Sequence, residues 1–171
     1  MVEYFDIIDI NSNFLNKTAQ RGSELQKGEY HKVVLGIILN LDNKLLLTLR
    51  SENKFMGNHW ETTAGSVNAG ESSKDAIVRE IKEEVGLTVS VDGKRPVDSF
   101  IEGDAIFDVW IFNLDFDLRD LTLDQSEVSK AMLIDIGELQ DLLETCKTVK
   151  SLKEVLKILN KYKIENYICQ K

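Results

Sequence analysis

The chain has one proline, two cysteines and two histidines in 171 residues, and it carries no long apolar run. With Pro96 alone, and no Pro/Gly/Ser-rich tract, nothing divides it into separately folding parts. Chains usually split only beyond about 250 residues, so a single domain spanning 1–171 is expected. Cys146 and Cys169 show no CxxC spacing and no neighbouring histidine pair, which argues against a disulfide framework or a zinc site. The longest apolar stretch, Val33 to Leu39, is far short of the ~18 residues a membrane helix needs, so no membrane partner is expected. Glu3 and Asp6 stand where a secretory leader would carry basic residues. Together these absences lead to the expectation of a cytoplasmic protein. Positive charge is also short. The net charge of −8 disfavours duplex nucleic acid as a partner, because phosphate contacts need a basic surface. A small phosphorylated ligand remains compatible with it if divalent cations bridge the two negative partners.

What is present is ordinary in bulk, with 43% apolar and 29% charged residues. The pattern predicts an N-terminal strand at 2–10 and a polar arm over 14–30. Two strands, His31 to Leu41 and Lys44 to Arg50, read as a hairpin around Asp42-Asn43. An ordered loop with a short strand near Trp60 leads to a helix from Ser72 to Val85. Strands at about 87–101 and 105–116 follow, then an acidic loop over 117–130 and a short strand to Asp135. Helices are expected over 136–144 and 149–162. In the last of these Leu152, Val155, Leu156 and Leu159 recur at helical spacing, and its lysines read as a solvated face. The expected class is α/β (α+β), a mixed sheet with helices packed on it. Its parts are an arm at 1–30, a core at 31–144 and a C-terminal helix at 145–171. A homodimer through the arm or the edge strands is compatible with the sequence, though no residue pattern marks it.

The helix over 72–85 carries the chemistry. At 100° per residue Ile77, Val78, Ile81 and Val85 form one apolar stripe. Glu80, Glu83 and Glu84 then cluster about 120° away, where like charges at i, i+3 and i+4 repel. A hard divalent cation with oxygen ligands is the natural compensation. Arg79, four residues before Glu83, can orient that carboxylate. Glu71 faces the positive end of the helix dipole, and Gly86 suits the C′ position.

This stretch resembles the Nudix hydrolase box, G-x5-E-x7-R-E-U-x-E-E-x-G-U with U aliphatic. Gly65, Glu71, Arg79, Glu80, Ile81, Glu83, Glu84, Gly86 and Leu87 meet all its constrained positions. At roughly 7% per residue type, the seven fixed matches arise by chance about once in 10⁸ windows. The resemblance implies an α/β/α sandwich with a mixed sheet, in which water cleaves a diphosphate joined to some other moiety. It also implies Mg²⁺ or Mn²⁺ on Glu80, Glu83, Glu84 and the carbonyl of Ala64. The general base is carried over to Glu83 or, in the acidic loop, to Glu127. A binding module that kept this fold but lost turnover is an alternative, disfavoured because no box carboxylate is damaged.

A second resemblance covers EYHKVVLGIILN, LLLTLRSENK and GNHWETTAGS, which follow the pattern of isopentenyl-diphosphate isomerase, a member of the same superfamily. It implies that Arg50 and Lys54 hold the substrate diphosphate. At the isomerase's catalytic cysteine this chain has Ala64, and two of its metal-site histidines fall at Ser66 and Glu24. An isomerase-like protein without the isomerase chemistry is therefore expected. His31, which matches one further histidine, reads better as a strand residue with a hydrogen-bonded ring than as a ligand. Trp60 has two readings, a stacking surface for a substrate base and packing of its own loop.

Overall fold

The computed structural model describes residues 2–163. Its elements in chain order are β1 (Tyr4–Ile8), β2 (Phe14–Gln20), β3 (His31–Asn40), β4 (Leu45–Arg50), β5 (Trp60–Glu61), β6 (Ala64–Ser66), α1 (Ser73–Val85), β7 (Asp98–Glu102), β8 (Ala105–Leu114), β9 (Val128–Ile134), α2 (Leu139–Thr145) and α3 (Ser151–Tyr162). The last eight positions of the expected C-terminal helix, with Cys169, lie outside the described residues.

The fold follows from β3. Its side chains alternate faces, as any strand's must. Leu35, Ile37 and Leu39 pack with Leu45, Leu47 and the apolar faces of α2 and α3. Val34 and Ile38 pack with Leu46 and with Ala76, Ile77, Ile81 and Val85 of α1. Both faces of the strand are buried, which is why its sequence is a continuous apolar run. The result is the expected sandwich of helix, mixed sheet and helix. Gly36 lies under α1, where an added Cβ would meet Ile77 Cδ1 at 3.2 Å and Ile81 Cδ1 at 3.4 Å. Ile81→Ala, at a fully buried position, is expected to destabilise the fold by about 2–5 kcal/mol. Urea unfolding would register this as a lower midpoint with an unchanged slope.

Within the sheet, β3 runs parallel to β8 from His31↔Ala105 to Asn40↔Leu114. It meets β4 only at the hairpin, Leu39↔Leu45. Beyond that point β4 departs to pair with β5 and β9, and β6 takes the vacated edge of β3, Val33↔Ser66 to Leu35↔Ala64. Lys54 of the β4–β5 loop thereby shares a cleft with Glu80, Glu83 and Glu84 in the C-terminal half of α1.

Three expectations need correcting. The arm over 14–30 contains β2, paired antiparallel with β1. Its side chains are nearly all exposed, so it leaves no hydrophobic alternation in the sequence. The turn is made by Asp9, whose carboxylate accepts from the amides of Asn11 and Asn13 at 2.9 and 2.8 Å. Residues 87–97 are loop rather than strand. Val89 is buried and Val91 half-buried against the α1 core, but Gly93 turns the chain at φ 67° and pairing starts only at Asp98. Finally, β9 begins at Val128, three residues earlier than expected, because the amide of Val128 donates to the carbonyl of Asp124 and closes the acidic loop.

Candidate active site

The helix α1 starts at Ser72, whose hydroxyl accepts from the amide of Asp75 at 3.2 Å, and ends at Gly86 in the left-handed conformation, φ 77°. A side chain at Gly86 would also strike Thr122, with its Cβ 2.8 Å away. That close approach has a purpose. The amides of Thr122 and Asp124 donate to the carbonyls of Val85 and Glu84 at 3.0 and 3.2 Å, tying the acidic loop to the end of α1. On its other side the loop is tied to residue 51. The amide of Ser51 donates to the carbonyl of Glu127, and its hydroxyl donates to the carbonyl of Gln125. Glu127 is thereby brought to Lys54, and the two form an ion pair.

Arg79 organises the other side. Its Nε and Nη2 each donate to Glu71 at 2.8 Å, Nη2 also donates to the carbonyl of Ser66 at 3.1 Å, and Nη1 donates to Glu80 at 2.7 Å and Glu83 at 3.2 Å. Burial favours a proton on Glu71, but the Arg79 bonds and the Asn68 amide outweigh it and hold the carboxyl below its ordinary range. Burial pushes Glu80 up despite Arg79. The deepest carboxyl is Glu84, 3% exposed. Burial, then the charges of Glu61 and Glu80, raises it well above the usual carboxylate range. Its Oε2 has no hydrogen-bond partner among the described residues.

Gly65 explains how Glu80 fits. A Cβ there would lie 1.9 Å from the Glu80 carboxyl carbon, so the carboxylate rests where any other residue's side chain would be. Gly65→Ala must displace it, and kcat/KM is expected to fall about 10- to 100-fold with the far-ultraviolet spectrum unchanged. Ala64, Gly65, Ser66, Arg79, Glu80, Glu83, Glu84, Lys54, Asp124 and Glu127 together wall a cleft of about 290 Å³, with Glu3 and Arg21 at its edge.

The match to known families falls on this same stretch. The family model of the NUDIX domain matches residues 29–154. The chain belongs to the Nudix family. Its members act on phosphoric anhydrides of small molecules and generally use divalent metals. An uncharacterised Nudix hydrolase of Listeria monocytogenes is 34% identical over 143 residues, 82% of this chain and 85% of its own. A protein of Methanocaldococcus jannaschii named ADP-ribose pyrophosphatase is 46% identical over 54 residues, 32% of this chain and 31% of its own. A crystal structure from Deinococcus radiodurans superposes with a TM-score of 0.76 at 19% identity, over 91% of this chain and 98% of that one. It is similar in fold.

The Nudix box thus brings Glu80, Glu83, Glu84 and Ala64 to one cleft with Lys54 and Glu127. No three carboxylate, imidazole or thiol groups are already gathered around one point among the described residues, since Arg79 holds Glu80 and Glu83 while Glu84 is buried. Arg50 is differently engaged. Its Nη1 donates to both carboxylate oxygens of Glu61 at 2.7 Å, and its Nε donates to the carbonyl of Phe55 at 2.9 Å. Trp60 is not brought to the Nudix cleft, because its half-buried ring packs against the core under α2 and α3. His31 stacks on Phe5, ring centroids 4.5 Å apart. Its Nδ1 has no hydrogen-bond partner among the described residues, so packing rather than a hydrogen bond holds the ring. Glu61 is the residue the sequence did not mark: one acid in WETT, where nothing in the spacing separates a buried carboxylate from an exposed one. Burial raises it against the pull of Arg50.

Proposed function

We propose that the protein is a divalent-metal-dependent hydrolase that cleaves the diphosphate linkage of a nucleoside-diphosphate-linked or related small molecule. The observation that carries this reading is the undamaged carboxylate cleft, in which Arg79 fixes Glu71, Glu80 and Glu83 beside the unpartnered oxygen of Glu84. A buried carboxylate oxygen without a partner costs about 1–3 kcal/mol, which a bound cation would offset. The donors are all oxygen, as Mg²⁺ and Mn²⁺ prefer, and Gly65 leaves the Glu80 carboxylate its space. The residues therefore fit a hard divalent cation, held by Glu80, Glu83, Glu84 and the carbonyl of Ala64.

A cation held there supplies charge neutralisation and Lewis acidity. The chain supplies the rest. Lys54 faces the cleft and offers a positive partner to a phosphate. In this reading Arg50, through Phe55 and Glu61, braces the loop that carries Lys54, with phosphate binding its second role. As the oxygen of water bonds to phosphorus, Glu83 or Glu127 accepts its proton at a carboxylate oxygen, and the bond from phosphorus to the bridging oxygen breaks, its electron pair leaving on that oxygen with the departing phosphate group. A cytoplasmic setting suits Cys146, an exposed free thiol. Among the described residues no helix is long and apolar enough to cross a membrane. Isomerisation of an isoprenoid diphosphate has no specific observation in its favour, since Ala64 stands where the thiol would be.

The test is phosphate release, with and without a coupled phosphatase, over nucleoside triphosphates, ADP-ribose, nucleotide sugars, dinucleotides, coenzyme A and isoprenoid diphosphates. Hydrolysis of at least one compound is expected with Mg²⁺ or Mn²⁺, to be lost in chelator and restored by excess metal. Metal-dependent binding without turnover would instead favour a binding module.

A further inference from the structure

Thr63 is 2% exposed, and its hydroxyl has no hydrogen-bond partner among the described residues. A buried hydroxyl left without a partner is destabilising, and valine would fill the same place without that cost. The backbone here is pinned to β3. The amide of Gly36 donates to the carbonyl of Thr63 at 2.9 Å, and the next residue, Ala64, pairs with Leu35. Ala64 packs on the α2 and α3 side of the sheet. Thr63, immediately before β6, turns its side chain the other way, toward the end of α1, where its hydroxyl bears on the Glu84 carboxyl. Burial and the charges of Glu61 and Glu80 raise that carboxyl, whereas Lys54 and the Thr63 hydroxyl draw it back. Glu84 Oε2 and Thr63 Oγ1 are both without other hydrogen-bond partners among the described residues, so each is open to the other. Thr48 on β4 carries another such hydroxyl, and Thr63 is the one that acts on Glu84.

We propose that Thr63 is the positioning residue for Glu84: its hydroxyl donates to one carboxylate oxygen and so fixes the direction in which the other meets a cation in the cleft. This inference rests on the reading above, in which Glu84 holds the cation, and adds to it a residue that touches neither metal nor substrate. The chemistry suits the role. An ionised carboxylate only accepts hydrogen bonds, and a hydroxyl has one proton to give. A bond of this charge-assisted kind is short and strong. Hydrogen bonds behind a metal-binding group set its orientation and so its affinity. The place in the fold suits it too. In that reading the carbonyl of Ala64 is the backbone ligand, so one pinned stretch of chain places the Ala64 carbonyl at the cation and the Thr63 hydroxyl behind Glu84. Gly36 also lets α1 lie close at this point, since a Cβ there would meet Ile81 Cδ1 at 3.4 Å, and Glu84 follows Ile81 by three residues on the same side of the helix. The spacing between the ligand on the loop and the ligand on the helix is thereby set through β3.

Mn²⁺ binding to wild type, Thr63→Val and Thr63→Ser, followed at pH 8 by titration calorimetry and by loss of the free-ion paramagnetic resonance signal, tests the assignment. Thr63→Val is expected to raise the Kd for Mn²⁺ about 10- to 100-fold, the usual loss when a hydrogen bond behind a metal ligand is removed. Thr63→Ser keeps the hydroxyl and should stay within about threefold of wild type. In chelator the urea midpoint of Thr63→Val should equal or exceed that of wild type, because the hydroxyl it removes has no partner in the metal-free protein. A Kd for Thr63→Val within about threefold of wild type overturns the assignment while leaving the cation on Glu84. So does a Thr63→Ser protein as weak as Thr63→Val, or a lower midpoint for Thr63→Val in chelator, which would give the hydroxyl a purely structural role. A folded wild type that binds no Mn²⁺ sinks the reading beneath it and the inference together.

Discussion

Glu83→Gln is expected to lower kcat by about 10²–10⁴, the range for loss of a general base, while leaving the fold intact. The side chain is 57% exposed and, among the described residues, its one side-chain bond is to Arg79 at 3.2 Å, so little packing is at stake. Glu127→Gln separates the two candidate bases. Glu127 belongs to the acidic loop and pairs with Lys54, so its amide removes an ion pair as well as a base. If Glu83 takes the proton, Glu127→Gln should change kcat by no more than about tenfold and raise KM as the freed Lys54 loses its fixed position. If Glu127 takes it, the larger fall in kcat belongs to that variant, and Glu83→Gln shows instead a raised metal requirement. Saturating both metal and substrate in each assay tells these outcomes apart. A Glu83→Gln enzyme that keeps kcat within threefold at low metal would remove Glu83 from both roles.

The parts of the molecule that could be read in the sequence are those where one physical rule dominates. The continuous apolar run of β3, the hairpin into β4 and the amphipathic stripe of α1 each follow from a period or a turn pair. The box is readable because seven positions of fixed residue type at fixed spacing leave chance little room. What escaped depends on distant partners. Strand β2 is exposed on nearly every side chain, so no pattern records it, and its pairing is set by the Asp9 turn. Helical spacing put Glu80, Glu83 and Glu84 on one face but could not reveal that Glu84 is buried and Glu80 largely covered while Glu83 stays exposed, since the cover comes from other elements. Arg79 was expected at Glu83; its strongest bonds go to Glu71, eight residues earlier, a reach set by the loop before α1. Phe55 is the exposed ring, whereas Trp60 packs against the core.

That covering of Glu84 leads to the second large effect. Glu84→Gln is expected to abolish most activity, about 10²–10³-fold as for other groups that fix transition-state charge, and yet to stabilise the metal-free protein. In the folded state the carboxyl is held well above its ordinary 4.5, so folded protein binds this proton more tightly than unfolded chain. Its contribution to stability is then fully present below about pH 4.5 and is lost as pH rises toward the folded value. At pH 8 the wild type carries either a buried charge or the cost of protonating it, next to Glu61 and Glu80, whose charges raise it further. A glutamine of the same shape carries neither. In chelator the variant should be more stable than wild type on the order of 1 kcal/mol at pH 8, with the difference shrinking toward pH 4.5. Saturating Mg²⁺ or Mn²⁺ should reverse the order, because only wild type gains the binding term, about 2.7 kcal/mol at a hundredfold excess over Kd. Denaturant titrations at pH 5 and pH 8, each with chelator and with metal, measure all four stabilities. A variant less stable than wild type at pH 8 in chelator would mean that the Glu84 oxygen already has its partner. A crossing of the two curves on adding metal would mean that the cleft holds a costly carboxylate in readiness for a cation.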